Sequence, residues 1–227
     1  MNNPIIVALD FESGAEALNL VDRLDDQIDF YKIGMELYAA AGMDFARELG
    51  ARGKRVFLDM KFYDIGETVR RAVCQVARAG LQFLTIHGSG PVMQAALEGR
   101  GAGDLKLLAV TVLTSYDEQD IRDLGYPGEV APLIDLRVRK AMAAGIDGVV
   151  ASPLDAARIR QFAGPNLLLV TPGVRSAGSA KGDQKRVATP AAAIQDGADY
   201  VVMGRQITRA ADPAGEVARV LEEIASV

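Results

Sequence analysis

Asp59 and Lys61 stand two residues apart at the end of an otherwise apolar run, Val56–Lys61. Alternate residues of a strand face the same side, so both side chains are expected to point one way. Asp64 follows where the next loop should begin, and Lys32 lies in the preceding apolar run. An alternating array of two lysines and two aspartates is therefore possible. Nearby negative charge favours the cationic form of a lysine. Such a lysine can stabilise a developing carbanion and then give it a proton. A fixed carboxylate facing a substrate carboxylate would repel it, and departure of CO2 would relieve that repulsion. A D-x-K pair can equally form a buried ion-pair network with no chemical task. Placement at strand ends, with Lys32 alongside, favours chemistry.

A second polar group of residues lies towards the C-terminus. Thr171-Pro172-Gly173-Val174-Arg175 closes one apolar run, and Met203-Gly204-Arg205 closes the next. Glycines there would let backbone N–H groups approach phosphate oxygens, and arginine adds charge and paired donors. The small, polar stretch from Ser176 to Lys185, which includes Gln184, is expected to act as a lid. A plainer reading makes the glycines turn residues and leaves the arginines solvated. Recurrence of a Gly/Arg pair at two successive strand ends argues against it.

These side chains need a scaffold that brings many strand ends to one place. Short apolar runs alternate with longer amphipathic ones along the whole chain. Strands are expected at Ile5–Asp10, Phe30–Gly34, Val56–Lys61, Phe83–Gly88, Leu107–Thr114, Gly148–Ser152, Leu167–Pro172 and Tyr200–Gly204. Several are apolar at nearly every position, as a parallel sheet covered by helices on both faces requires. Between them, Ser13 and Glu16 read as a capping box, with Ala17, Leu20, Val21 and Leu24 following at helical spacing. Val69, Ala72, Val73, Val76 and Ala77 make another stripe, and a last helix is expected from about Pro213. Gly50, Gly80, Gly145 and Gly197 sit where helices should stop.

Eight strand–helix units predict an α/β fold, a single (β/α)8 barrel over residues 1–227. An open doubly wound sheet is the alternative. Its usual nucleotide-binding marks, GxGxxG after the first strand or GxxxxGK[ST], do not occur in the sequence. In a barrel, Asp10, Lys32, Asp59, Lys61, His87, Thr114, Ser152, Arg175 and Arg205 would gather at the C-terminal mouth, where active sites of this fold lie.

Composition narrows the setting. The 227 residues are 49% hydrophobic, enough for one sizeable core. A formal net charge of −5 gives no general attraction for nucleic acid or anionic membranes, so a phosphate must be met locally. Cys74 is the one cysteine, which rules out a disulfide within the chain, and it borders an apolar stripe as a small packed residue. No basic stretch followed by a long apolar run opens the sequence, and no apolar stretch reaches the ~20 residues of a membrane span. A cytoplasmic protein is expected. His87 is the only histidine, so a multi-His metal site is impossible, and a supporting role at the mouth is expected. Metal is disfavoured, although carboxylates alone can hold Mg²⁺.

The run Asp59-Met60-Lys61-Phe62-Tyr63-Asp64-Ile65, followed by Thr68, resembles the D-x-K-x-x-D-I-x-x-T signature of the orotidine 5'-monophosphate decarboxylase family. The likeness extends along essentially the whole chain. Val7-Ala8-Leu9-Asp10, Lys32-Ile33-Gly34 with Glu36-Leu37, and Val110 to Ser115 resemble the family's first, second and fifth strands. Thr171 to Arg175 and Met203-Gly204-Arg205 resemble its seventh and eighth.

The resemblance implies a cofactor-independent decarboxylase in which Lys61 protonates C6 of the pyrimidine and Asp59 faces the departing carboxylate. Lys32 and Asp64 would complete the charge array and touch the ribose, with Asp10 also on the ribose. Thr114 would sit near the pyrimidine, and Pro172 belongs to the same substrate-contacting set. Arg175, Gln184, Gly204 and Arg205 would hold the phosphate and close the lid. Asp64, Ile65 and Thr68 would reach into a neighbouring subunit, which implies a homodimer with shared sites. The bacterial family often has His-Asp-Ile-Pro-Asn-Thr where this chain has Tyr63-Asp64-Ile65-Gly66-Glu67-Thr68. A local repacking at that contact is expected.

Related enzymes on the same scaffold, 3-keto-L-gulonate 6-phosphate decarboxylase and hexulose phosphate synthase, share D-x-K-x-x-D. They use Mg²⁺ and typically carry an acidic residue in the second strand, where this chain has Lys32. A Schiff-base aldolase would need Lys61 deprotonated, against its flanking carboxylates. A non-catalytic binding barrel would have no use for the array.

Overall fold

The computed structural model describes residues 3–177 and 188–227. Eight parallel strands close into a barrel in sequence order. They are β1 (Ile5–Ala8), β2 (Phe30–Ile33), β3 (Arg55–Phe62), β4 (Phe83–His87), β5 (Lys106–Val110), β6 (Gly148–Val150), β7 (Leu168–Thr171) and β8 (Tyr200–Met203). Helices α1 (Gly14–Leu24), α2 (Met35–Ala51), α3 (Gly66–Arg78) and α4 (Gly90–Arg100) follow the first four strands. Between β5 and β6 lie α5 (Glu118–Asp123) and α6 (Val130–Ala144), and α7 (Ala156–Ala163) leads to β7. After β7 comes α8 (Pro190–Gln195), and after β8 come α9 (Arg205–Thr208) and α10 (Pro213–Ala225).

The helices form because one stripe of each is apolar. In α1, Ala17, Leu20, Val21 and Leu24 are buried, and Ser13 Oγ accepts the Glu16 N–H at 3.3 Å. In α3 the buried stripe is Val69, Val73 and Val76, with Cys74 only partly covered beside it. α10 starts at Pro213 as its sequence suggests. The stop near Gly50 is a correction. That glycine lies inside α2, which runs on to Ala51, is capped by Arg52, and is followed by left-handed Gly53.

The core has two parts. The larger fills the space between strands and helices. The smaller lies inside the barrel and includes Ile6, Phe30, Phe57, Phe83, Leu108, Val170 and Val202. Phe30, Phe83 and Tyr200 stand at strand starts and pack edge to face, with centroids 4.9 Å (Phe30–Phe83) and 5.5 Å (Phe83–Tyr200) apart. The Arg55 guanidinium lies 4.4 Å from the Phe30 ring centre and pairs with Asp29. This aromatic plug closes the N-terminal end. Lys32, Asp59 and Lys61 lie further along their strands, towards the opposite mouth.

Strand limits differ from the expected ones at that mouth. Asp10, Gly34, Gly88, Ser152, Pro172 and Gly204 lie just past the last strand residues, and β5 ends at Val110 rather than Thr114. Strands in a barrel end where their neighbours diverge, whatever the hydrophobicity of the next residues. In β5 the last ladder-like bond is Thr111 N–H to Val150 O, at 3.1 Å, and the chain then turns. β3 does the reverse and continues to Phe62, through an irregular register opposite β4.

Candidate active site

Four charged side chains form a continuous line at the C-terminal mouth. Lys32 Nζ lies 3.3 Å from Asp10 Oδ1 and 3.7 Å from Asp59 Oδ2. Asp59 Oδ1 accepts from Lys61 Nζ at 2.8 Å. The order is thus Asp10, Lys32, Asp59, Lys61. Each comes from a different place in the barrel rim: the end of β1, β2, and two positions of β3. Burial pushes the Asp59 carboxyl up. The charges of Lys32 and Lys61, with hydrogen bonds from Lys61 and Thr85, outweigh it and hold Asp59 below the ordinary carboxylate range. Asp59 is therefore an anion that acceptor-only bonding suits.

Two backbone features make the line possible. Lys61 has φ of 48°, the left-handed region that a non-glycine residue enters only when its surroundings compel it. Gly34 leaves space for the first pair: a Cβ there would stand 3.0 Å from Lys32 Nζ and 3.2 Å from Asp10 Oδ1.

A polar cavity of about 650 Å³ opens beside Asp10 and Lys32. Pro172, Gly173, Arg175, Gly204 and Arg205 also line it, together with Arg209. Two successive strand ends thus bring arginine and glycine to one space. A Cβ on Gly204 would approach Ala8 and Asp10 no closer than 3.6 Å, so this glycine keeps the space open without being forced by packing. A second cavity, about 420 Å³ and richer in apolar atoms, begins at Lys61 and runs past His87, Val110, Val112 and Arg137. The charged line connects the two.

Other candidate residues sit apart. Asp64 is exposed and its carboxylate accepts the Ile65 N–H at 2.7 Å. Ile65 is 73% exposed, and Thr68, on the outer surface of α3, is exposed too. None of the three lines either of these two cavities. Within one chain the second aspartate beside Lys32 is Asp10, not Asp64. Thr114 is buried beyond the end of β5. Gln184 and most of the expected lid lie outside the described residues. Sequence reasoning did not single out Arg209, Gly34 or Thr85. Arg209 was findable as a second cation after β8, four residues beyond Arg205. The other two depend on contacts that spacing does not reveal. Among the described residues no group of His, Cys, Asp and Glu is arranged to hold a metal ion, and no helix is long and apolar enough to cross a membrane.

A closed eight-stranded barrel with a line of alternating charges and two arginines at its mouth defines a class of barrel enzymes, and comparison gives its family. Residues 3–220 match the model of the orotidine 5'-phosphate decarboxylase / HUMPS family, and the chain belongs to that family. A relative from Rhodopseudomonas palustris (strain BisA53), named orotidine 5'-phosphate decarboxylase, is 52% identical over 220 residues, 97% of this chain and 94% of the relative. One of the same name from Methylobacterium sp. (strain 4-46) is 51% identical over 224 residues, 97% and 95% of the two chains. The crystal structure of orotidine 5'-phosphate decarboxylase from Lactobacillus acidophilus superposes with a TM-score of 0.86 at 33% identity, covering 98% of this chain and 99% of that one.

Proposed function

We propose that this enzyme converts orotidine 5'-monophosphate to uridine 5'-monophosphate and CO2, a step of pyrimidine biosynthesis, with no metal or organic cofactor. The observation that carries the reading is the line Asp10–Lys32–Asp59–Lys61 at the barrel mouth. Family membership and the names of the relatives support it. With the phosphate in the cavity lined by Arg175, Gly204 and Arg205, the nucleotide points its base towards Lys61. Gln184 joins the phosphate contacts, Asp10 and Lys32 take the ribose, and Thr114 and Pro172 border the pyrimidine. The C6 carboxylate meets Asp59, an anion held ionised by its lysines.

Heterolysis of the C6–carboxylate bond releases CO2 and leaves the electron pair on C6. The Lys61 ammonium stabilises that charge and transfers its proton to the same carbon, and the amine then regains a proton from solvent. Asp64, Ile65 and Thr68 are exposed in one chain and serve the site of a second copy in a homodimer. The working compartment is the cytoplasm.

The family name also covers sugar-phosphate enzymes. Against that reading, the Lys32 ammonium already sits between the Asp10 and Asp59 carboxylates, the position a divalent cation would take. The test is to add orotidine 5'-monophosphate to purified protein in excess EDTA and identify the product. Formation of uridine 5'-monophosphate at an unchanged rate is expected. A rate that collapses in EDTA and returns with Mg²⁺ would favour the metal-dependent relatives' chemistry.

A further inference from the structure

The irregular stretch of β3 leaves a backbone donor without a strand partner, and one side chain of β4 takes it up. The register runs from Leu58 to Phe62 on β3 but only from Leu84 to Ile86 on β4, so β3 carries two extra residues there. Thr85 stands opposite the surplus. Its hydroxyl oxygen accepts the Lys61 backbone N–H at 2.9 Å. The hydroxyl donates to Asp59 Oδ1, also at 2.9 Å. That same oxygen receives Lys61 Nζ at 2.8 Å. Lys61 N–H, Thr85 hydroxyl, Asp59 carboxylate and Lys61 ammonium therefore close a ring.

The direction of every bond in the ring follows from chemistry. A backbone N–H only donates, an ammonium only donates, and an ionised carboxylate only accepts. A hydroxyl does both, so it is the group that can join the first to the last. Thr85 is fully buried. It lines neither cavity, so it acts through its two partners rather than on a substrate. Both partners are the residues that face the reacting carbon in the proposed reaction. Lys61 holds a positive φ of 48°, and a strained conformation of this kind persists only where neighbours over-determine it.

We propose that Thr85 is the positioning residue of this site: its hydroxyl holds the Lys61 backbone in the left-handed conformation and fixes the Asp59 carboxylate against the Lys61 ammonium. The kinetic consequence rests on Lys61 being the proton donor. The geometric consequence does not.

The test compares Thr85→Val, which keeps the shape and removes the hydroxyl, with Thr85→Ser, which keeps the hydroxyl. In Thr85→Val the Lys61 N–H and an Asp59 lone pair lose their buried partner. Misplacement by about 1 Å costs on the order of a hundredfold in rate, so kcat should fall about that much while KM changes less than about threefold. The acid limb of the kcat profile should move to higher pH, because Asp59 loses a bond to its charged form. Thr85→Ser should return kcat to within about threefold of wild type.

Crystal structures of both variants give a second readout. Lys61 should leave the left-handed region, or lose Asp59, in the valine variant only. If the valine chain does not fold, Thr85→Ala removes the hydroxyl without adding a methyl group. Wild-type kcat in a valine or alanine variant, with Lys61 still at positive φ and bonded to Asp59, would overturn the proposal. So would equal losses in the valine and serine variants. If wild type itself does not consume orotidine 5'-monophosphate, the proposed reaction fails, while the two crystal structures still decide the role of Thr85.

Discussion

Tyr63 lies against His87, with ring centroids 4.1 Å apart and planes inclined by 31°. Tyr63 is one of the positions where this chain departs from the pattern its sequence resembles, and the stack gives it a task. It covers the histidine that ends β4. His87 Nδ1 is buried and has no hydrogen-bond partner among the described residues. Burial, then the charge of Arg137, holds the His87 pKa below histidine's ordinary 6.5.

The sign of the pH effect follows. Above 6.5 the ring is neutral whether the chain is folded or unfolded, and contributes nothing. As pH falls below 6.5, the unfolded chain binds the proton first, so the folded state loses stability until the lower folded pKa is passed. Because the chain has one histidine, its ring resonance can be followed by NMR without ambiguity. A midpoint below 6.5 is expected, moving up in Tyr63→Ala. A wild-type midpoint at or above 6.5 would contradict the packing described for His87.

Arg205 lines the cavity assigned to phosphate. Replacing it with alanine removes a charge-assisted contact to a dianion in a recessed site. The loss in kcat/KM should be on the order of a hundredfold or more for the nucleotide, and under about tenfold for the nucleoside without phosphate. Steady-state kinetics on the two substrates checks this. Equal losses on both would show that Arg205 does not read the phosphate.

The sequence alone carried the barrel, because runs such as Ile5–Leu9 and Tyr200–Met203 are apolar on both faces and recur between amphipathic stripes. Strand ends were harder. Val112 and Leu113 look like strand, yet β5 has already ended at Val110. They are apolar because they line a cavity, not because they pair. Asp59 and Lys61 were visible as charges within an apolar run. Their side-by-side placement followed from a regular strand, whereas β3 is irregular there and Lys61 is left-handed. Thr85 was invisible for the same reason: a threonine in an apolar strand signals nothing until the extra residues opposite it are known. Asp10, at the end of a different strand, became the partner of Lys32 only when the barrel closed.

Asp64 is exposed in a single chain, and among the described residues its carboxylate bonds only to the neighbouring Ile65 N–H. If it serves a second copy, Asp64→Ala and Lys61→Ala chains are each inactive alone and recover activity together. Random pairing puts about half of the dimers in the mixed state. One of the two sites in each then has both residues intact, so about a quarter of all sites should work. Co-expression followed by turnover per site measures this. No recovery, with subunit exchange verified by mass spectrometry, would place Asp64 in the service of its own chain.

The proposed reaction turns on Lys61, whose ammonium joins the charged line to the cavity beside it. The direct measurement is the loss of ultraviolet absorbance of orotidine 5'-monophosphate with wild type and with Lys61→Ala, alongside circular dichroism and thermal unfolding of both. Decarboxylation by wild type is expected, with a fall in the variant of about ten-thousandfold, the upper range for losing a general acid, and no loss of fold. Turnover by a folded Lys61→Ala chain at near the wild-type rate would contradict the assignment of Lys61 as the proton donor.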